Sequence, residues 1–424
     1  MVMSAPVAPL EASTPDLLSS TPDRRLLMLY VHIPFCMSKC HFCDWVARIP
    51  KRDLLRRPDD PVRGAYVDAL CREVRERGDQ LSQAGTVPYV LYWGGGTASS
   101  LTTPEIEAVA GAFQEAFDMS SVAESTIECS PDTISEDKLH LFRSLGFTRF
   151  SSGVQSLDDA RLKLLGRRHT AEQARGVVGL ARDAGFADIN IDLMCGFPDQ
   201  PLAEVEKMVA EAVELPITHL SIYPFRPSAG TVMRARVDDG RAHLDIRSQM
   251  LAFYRARAIA IEAGFEEYAS GYFGRPALNV VMPFQLRLET VGFGSGAVSL
   301  LDRRYLAHSP GQLRNYIEDP LRWDVDQAVS DPAVAFSFIR SGLSIFDGIL
   351  RAEWEHQTGT TLEDVLAQPA LRPLMKYLRS SGLIESPRGI RLPPERVARA
   401  LINLSFHLSL GEEGVRSTQE RQSV

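Results

Sequence analysis

Between residue 26 and about residue 225, short apolar runs alternate six times with amphipathic stretches. Leu26–Ile33 reads as a strand, and Val62–Leu81, with Tyr66, Ala69, Leu70 and Val74 on one face, as a helix. Further strands are predicted at Tyr89–Trp93, Ser125–Cys129, Thr148–Val154, Asp188–Met194 and His219–Tyr223. The intervening helices begin at Thr103, Ser135, Thr170 and Leu202. Pro104 suits a first helical turn, and Thr170-Ala-Glu-Gln173 has the form of a capping box. Alternating strands and helices make parallel β/α units. Six units are too few to close an eight-stranded barrel, so the expected fold is α/β, an open partial (β/α)6 barrel with a lateral gap. Parallel barrels carry their chemistry at the C-terminal ends of the strands. Five polar or glycine-rich segments fall there: the loop after Ile33, Gly94-Gly-Gly-Thr97, Glu128-Cys-Ser-Pro131, Gln155 and Asp192.

After residue 226 the pattern changes. Leu244–Gly264 reads as a long helix, Gly292-Phe-Gly-Ser-Gly296 as a tight turn at a strand end, and the chain beyond Asp331 as mostly helical. A turn at Ser386-Pro-Arg-Gly389 between two helical stretches suggests a small winged-helix-like domain. The expected organisation is a tail over 1–25, a partial barrel over 26–230 and its extension over 231–330. A helical domain over 331–408 and a polar tail over 409–424 follow. The first residues are rich in Ala, Pro, Ser and Thr and lack the basic and apolar regions of a signal peptide. No run is long and apolar enough to span a bilayer. A cytoplasmic protein is expected, without a membrane partner. The net charge of −8 argues against a nucleic acid partner. Seven basic residues between Arg372 and Arg399 face only two acidic ones there, a pattern read as a solvated helical face.

Three of the six cysteines, Cys36, Cys40 and Cys43, share one loop at spacing C-x3-C-x2-C. Three thiolates can hold three corners of a [4Fe–4S] cubane and leave one iron open to a small molecule. The competing reading is structural zinc, which takes four ligands. His41 could supply a fourth at an unusual spacing, whereas Cys71, Cys129 and Cys195 stand alone. Strand alternation points Cys195 away from the side of Asp192, so Cys195 is read as core, as are Cys129 and Cys71. His32 and His169 are read as supports for neighbouring loops. Gly94–Thr97 can bring backbone close to a charged ligand or form an ordinary tight turn. Glu128 and Asp192 suit ribose hydroxyls or an ammonium, and Arg167 suits a carboxylate. Alternatively, these side chains form salt bridges around the barrel rim.

Several segments together resemble the radical S-adenosylmethionine (SAM) proteins of the oxygen-independent coproporphyrinogen III oxidase-like group. They are Tyr30-Val-His-Ile-Pro-Phe-Cys36, Tyr92-Trp-Gly-Gly-Gly-Thr97, Glu128-Cys-Ser-Pro131, Ser152-Gly-Val-Gln155 and Leu165-Gly-Arg167. Asn190-Ile-Asp192 through Gln200 and Gly292 through Ala297 complete the set, so the resemblance covers roughly residues 26–405. It implies an enzyme with a [4Fe–4S] cluster on Cys36, Cys40 and Cys43 and two SAM molecules. The SAM contacts it implies are Tyr30, Phe42, Gly95, Gly96, Thr97, Glu128, Gln155, Arg167, Asp192, Arg226 and Val298. It also implies a small-molecule substrate and a reducing electron donor, with a separate methyltransferase as a possible helper.

Two departures separate the chain from named branches of that group. The oxidases carry a further cysteine two residues after the third, and Trp45 stands there. The heme chaperones carry His-Asn-x-x-Tyr-Trp where this chain reads Leu278-Asn279-Val-Val-Met282-Pro283. Elimination favours a third branch. There one SAM yields a 5′-deoxyadenosyl radical and the other donates a methyl or methylene to an unsaturated carbon of a small natural product. Heme binding and porphyrinogen oxidation are the alternatives.

Overall fold

The computed structural model describes residues 25–43, 60–274, 277, 288–309, 311–328 and 332–400. Six strands and their helices follow the predicted order: β1 (Arg25–Ile33), α1 (Pro61–Gln83), β2 (Thr86–Gly95), α2 (Thr103–Ala116), β3 (Glu124–Cys129) and α3 (Glu136–Ser144). Then come β4 (Arg149–Gln155), α4 (Asp159–Leu164), α5 (Ala171–Asp183), β5 (Asp188–Cys195), α6 (Leu202–Ala212) and β6 (His219–Pro224). Arg25, expected in the tail, opens β1, and the short α4 is an element the periodicity did not reveal. The strands pair in parallel in chain order from β1 to β6.

Period-two alternation explains why one face of this sheet is greasy and the other chemical. Leu27, Leu29, Val31 and Ile33 of β1 are fully buried against the helices. Ile189, Ile191, Leu193 and Cys195 of β5 enter the same core. Trp93 anchors it, in edge-on contact with Phe142 and Phe147. Burying each such side chain contributes about 1.5–3 kcal/mol. The residues between them, among them Tyr30, Asn190 and Asp192, face the other way. Local signals set the helix starts. Asp60 accepts from the Val62 amide at 2.9 Å ahead of Pro61. Thr170 and Gln173 cap each other's backbone at 3.2 and 2.9 Å.

The sheet does not close. After α7 (Val232–Asp238) and α8 (Ile246–Glu262), the short strands β7 (Glu267–Ala269) and β8 (Tyr272–Gly274) extend it, β8 running antiparallel to β6. On the other edge β9 (Leu288–Phe293) lies parallel to β1. Beyond it lie β10 (Val298–Leu301), β11 (Arg304–Ala307), α9 (Leu313–Glu318) and β12 (Val325–Ala328), the strands antiparallel. The fold is thus an open α/β sheet whose six central strands are the predicted units. The sequence marked β9 only by its terminal glycine turn; its parallel seat beside β1 was not foreseen.

From Pro332 onward a second core forms around Trp354, Leu374, Met375 and Leu378, with a three-stranded sheet of Ile349–Leu350, Gly389–Arg391 and Ile384–Glu385. Helices with a small antiparallel sheet agree with the expected winged-helix-like region. The basic face there is solvated: Arg372, Lys376 and Arg379 are exposed, and Arg379 pairs with Glu385 at 2.8 Å. Among the described residues no helix is long and apolar enough to cross a membrane. The N-terminal segment before Arg25, Trp45, Leu278–Pro283 and the C-terminal tail over 409–424 lie outside the described residues.

Candidate functional site

The C-terminal ends of β1 to β6 surround one cavity of about 900 Å³. That size is near the top of the ~300–1,000 Å³ range for small-molecule sites. Cys36, Cys40 and Cys43 form part of its wall, and every position that the resemblance assigns to SAM lines it too.

The cysteine loop leaves β1 and folds over the glycine turn of β2. Gly96 donates its amide to the Ile33 carbonyl at 2.8 Å. A side chain at Gly96 would meet the Phe35 carbonyl oxygen at 2.8 Å and Cys36 Sγ at 3.1 Å, so only glycine permits this approach. Thr97 Oγ1 lies 3.5 Å from Cys36 Sγ, and burial pushes the Cys36 thiol up to about 11. Arg167 Nη1 reaches Cys40 Sγ at 3.3 Å, and its Nη2 donates to Ser130 Oγ at 3.0 Å and to the Gly153 carbonyl at 2.5 Å. Its Nε is buried with no hydrogen-bond partner.

These thiols line a wall without converging on a point. Among the described residues no group of three His, Cys, Asp or Glu is gathered to hold a single metal ion. His41 turns its Nδ1 to the Leu164 carbonyl at 2.8 Å and packs against Gly166, a task other than zinc binding. A three-thiol set on one loop suits a cluster with an open iron, and the glycine cradle beside it suits a ligand brought up to that iron.

Two carboxylates lie deeper. Glu128 accepts from Tyr92 Oη at 3.1 Å, and burial with Asp192 nearby raises its pKa to about 7. Asp192 accepts from Asn190 Nδ2 at 2.9 Å, and burial raises its pKa as well. Among the described residues neither carboxylate enters an ion pair, nor does Arg167, so the rim salt bridges considered from sequence do not form. Gln155 holds a left-handed backbone (φ 69°) at the end of β4, a conformation costly for a side chain of its size. Phe42, Arg226 and Val298 reach the same cavity from the cysteine loop, the segment after β6 and the start of β10. The single cysteines fall in the core: burial raises Cys129 and Cys195 to about 12 and Cys71 to about 11. His169 donates from Nε2 to the Val154 carbonyl oxygen at 3.0 Å, and His32 Nδ1 lies 3.0 Å from Tyr30 Oη.

Sequence reasoning missed several lining residues. Tyr92 stacks on Tyr30, with ring centroids 5.9 Å apart, and alternation along β2 could have placed it. Tyr223 and Tyr272 meet edge to face at 5.7 Å. Ser344 and Ala398 arrive from the C-terminal region, and no local signal announces them.

Residues 30–212 match the family described as the radical SAM superfamily. The heme chaperone HemW of Escherichia coli K12 is 29% identical over 372 residues, covering 84% of this chain and 91% of its own length. The oxygen-independent coproporphyrinogen III oxidase of Salmonella typhimurium is 30% identical over 388 residues, covering 87% of this chain and 82% of its own. Among solved structures, the coproporphyrinogen III oxidase HemN of Escherichia coli superposes with a TM-score of 0.71 over 90% of each chain, at 23% identity. That last likeness speaks for the fold alone.

Proposed function

This chain belongs to the radical SAM superfamily, in the group of the oxygen-independent coproporphyrinogen III oxidases and heme chaperones, and from that premise we propose that it acts on a tetrapyrrole-sized unsaturated ligand. As in that family, the cofactors are a [4Fe–4S] cluster and SAM, and Cys36, Cys40 and Cys43 fit the cluster motif. When bound, the cluster supplies the electron that cleaves SAM to a 5′-deoxyadenosyl radical. The observation that carries the reading is the single cavity that joins the cysteine wall to Glu128, Gln155, Arg167, Asp192 and Val298.

In this reading the Gly95–Thr97 turn offers backbone groups to the amino acid end of SAM. Glu128 and Asp192, raised by burial, ionise against the positive charge of SAM. Arg167 supplies a fork for a carboxylate. The exposed Lys39, Arg168 and Arg226 stand at the mouth, where they suit an anionic substrate edge. The names of the relatives weigh toward tetrapyrrole chemistry over carbon transfer.

A second reading keeps transfer of a SAM-derived methyl or methylene to an unsaturated carbon, with two SAM molecules. Trp45 in place of a cysteine and the replaced stretch at Leu278–Pro283 favour it. A reducing electron donor belongs to both readings, and a helper methyltransferase only to the second.

Anaerobic reconstitution with dithionite and SAM, followed by mass spectrometry, separates them. Both readings require 5′-deoxyadenosine. The first further expects hemin or coproporphyrin III to bind, or coproporphyrinogen III to lose mass as carbon dioxide. The second expects S-adenosylhomocysteine and label from deuterated methyl-SAM in 5′-deoxyadenosine. Label transfer without any tetrapyrrole binding would replace the first reading by the second.

A further inference from the structure

The C-terminal region is more than a neighbour of the barrel, because one of its segments is part of the cavity wall. Residues 344–346 lie along the edge of β7. The Ser270 amide donates to the Ser344 carbonyl at 2.8 Å, Ala269 bridges to Ile345, and the Phe346 amide donates to the Tyr268 carbonyl at 3.3 Å. Ile345, 1% exposed, packs with Leu26, Met28, Tyr89, Val90 and Tyr268 in an apolar cluster on the inner face of the sheet. The adjacent Ser344 lines the cavity beside Ser270, Tyr272 and Tyr223. Its hydroxyl is bent back onto the Ser341 carbonyl at 2.6 Å, which leaves little of the side chain for a ligand to grip. Backbone bonds hold the segment on both sides, so extra bulk at this position projects into the cavity while the core stays filled by Ile345.

We propose that Ser344 is the specificity-determining residue that sets how large a substrate the cavity admits, with Tyr223 and Tyr272 as the aromatic wall the substrate lies against. This rests on the tetrapyrrole-sized ligand proposed above. None of these three residues is among the positions that the resemblance assigns to SAM, so a change of size there should separate substrate from cofactor.

The test uses the full chain, anaerobically reconstituted, with coproporphyrin III as the fluorescent probe and SAM as the internal control. Ser344→Trp should weaken coproporphyrin III binding by about tenfold or more, as overfilling a packed site does, and Ser344→Leu by less. Ser344→Ala should bind as wild type, because the hydroxyl is spent on its own chain. In all three, SAM affinity and 5′-deoxyadenosine formation without substrate should stay within about twofold, which also reports that the fold survives. If Ser344→Trp fails to fold, Ser344→Leu carries the comparison. Wild-type binding of the probe with undiminished binding by Ser344→Leu and Ser344→Trp would overturn the role of Ser344 while leaving the proposed function standing. Equal loss of probe and SAM would overturn it too. If the wild type binds no coproporphyrin III, the proposed function falls and this inference falls with it.

Discussion

Buried carboxylates at two places, Glu73 on α1 and the pair Glu128 and Asp192 on β3 and β5, are treated in opposite ways. Glu73 on α1 is fully buried and fully engaged. It accepts from Arg77 Nε at 2.9 Å, His308 Nε2 at 2.8 Å, Tyr316 Oη at 2.7 Å and the Gly294 amide at 2.9 Å. It thereby ties α1 to the glycine turn after β9 and to the loop before α9. Glu128 and Asp192, on the cavity side, meet neutral donors such as Tyr92 and Asn190. A buried carboxylate paired with an arginine holds the chain together, whereas one bonded by neutral donors suits a cation brought into the cavity. Position in the fold decides which: Glu73 reaches from a helix into the core, whereas Glu128 and Asp192 stand on strands and line the cavity.

The sharpest way to break the comparison is to remove cavity function without touching structure. Cys40→Ala should abolish cluster absorbance and all SAM cleavage, while the thermal midpoint of the metal-free protein stays close to wild type. A variant that keeps both colour and cleavage would overturn the ligand assignment. The converse change is Glu73→Ala. It leaves His308, the Tyr316 phenol and the Gly294 amide in the core without their acceptor and takes the carboxylate from Arg77, and losing one partner of such a buried network costs about 3–5 kcal/mol. Urea unfolding of the metal-free chain measures it. A loss comparable to that of an exposed pair such as Arg314–Glu318 would show that Glu73 is no staple.

What the sequence disclosed follows the same division. The cysteine loop, the Gly94–Gly96 turn and the Thr170–Gln173 cap were legible because each is a local arrangement of a few residues. The strand ends were legible because period-two alternation sorts a parallel strand into a core face and a chemical face. That rule also placed Cys195 in the core. The Glu73 knot was not legible, since its partners Gly294, His308 and Tyr316 stand 221, 235 and 243 residues away. Neither was Ser344, whose place depends on how a separate core docks on the edge of β7. The seat of β9 beside β1 is likewise a long-range pairing that no periodicity encodes. Trp45 and Leu278–Pro283, which separate the branches of the family, lie outside the described residues, so the distinction they draw rests on sequence.

A smaller effect than that of Glu73 is expected from Glu128→Gln, and its sign depends on pH. The native chain holds a proton on Glu128 up to about pH 7, against an ordinary value of 4.5. The unfolded chain releases that proton at lower pH, so native stability falls as pH rises from 4.5 to 7, and the penalty is complete above 7. The gap corresponds to a few kcal/mol at most, on the order of 3. Glu128→Gln removes the titration. At pH 8 the metal-free variant should therefore unfold later than wild type, and the advantage should shrink toward pH 5. SAM binding should weaken in the same variant, because the carboxylate that meets its positive charge is gone. An advantage independent of pH would mean that Glu128 does not titrate in this range.

The smallest effect separates the phenol from the carboxylate. The Tyr92 hydroxyl donates to Glu128 at 3.1 Å and opposes the upward push of burial. A hydrogen bond to a charged acceptor is worth about 1.5–3 kcal/mol, and one to a neutral acceptor about half that. Tyr92→Phe should therefore raise the Glu128 pKa further and move the pH window of lost stability upward. The metal-free protein should lose about 1 kcal/mol or somewhat more at pH 8 and less at pH 5. In the Glu128→Gln background the same change should cost less, with little dependence on pH. Glu73 gives the contrast: Tyr316→Phe also removes a phenol from a buried carboxylate, but one that keeps Arg77, His308 and the Gly294 amide. Its cost at pH 8 should be smaller, because three other donors to the same carboxylate remain. If the two phenols cost the same at pH 8, the division between a carboxylate that holds the chain and one that serves a ligand is wrong.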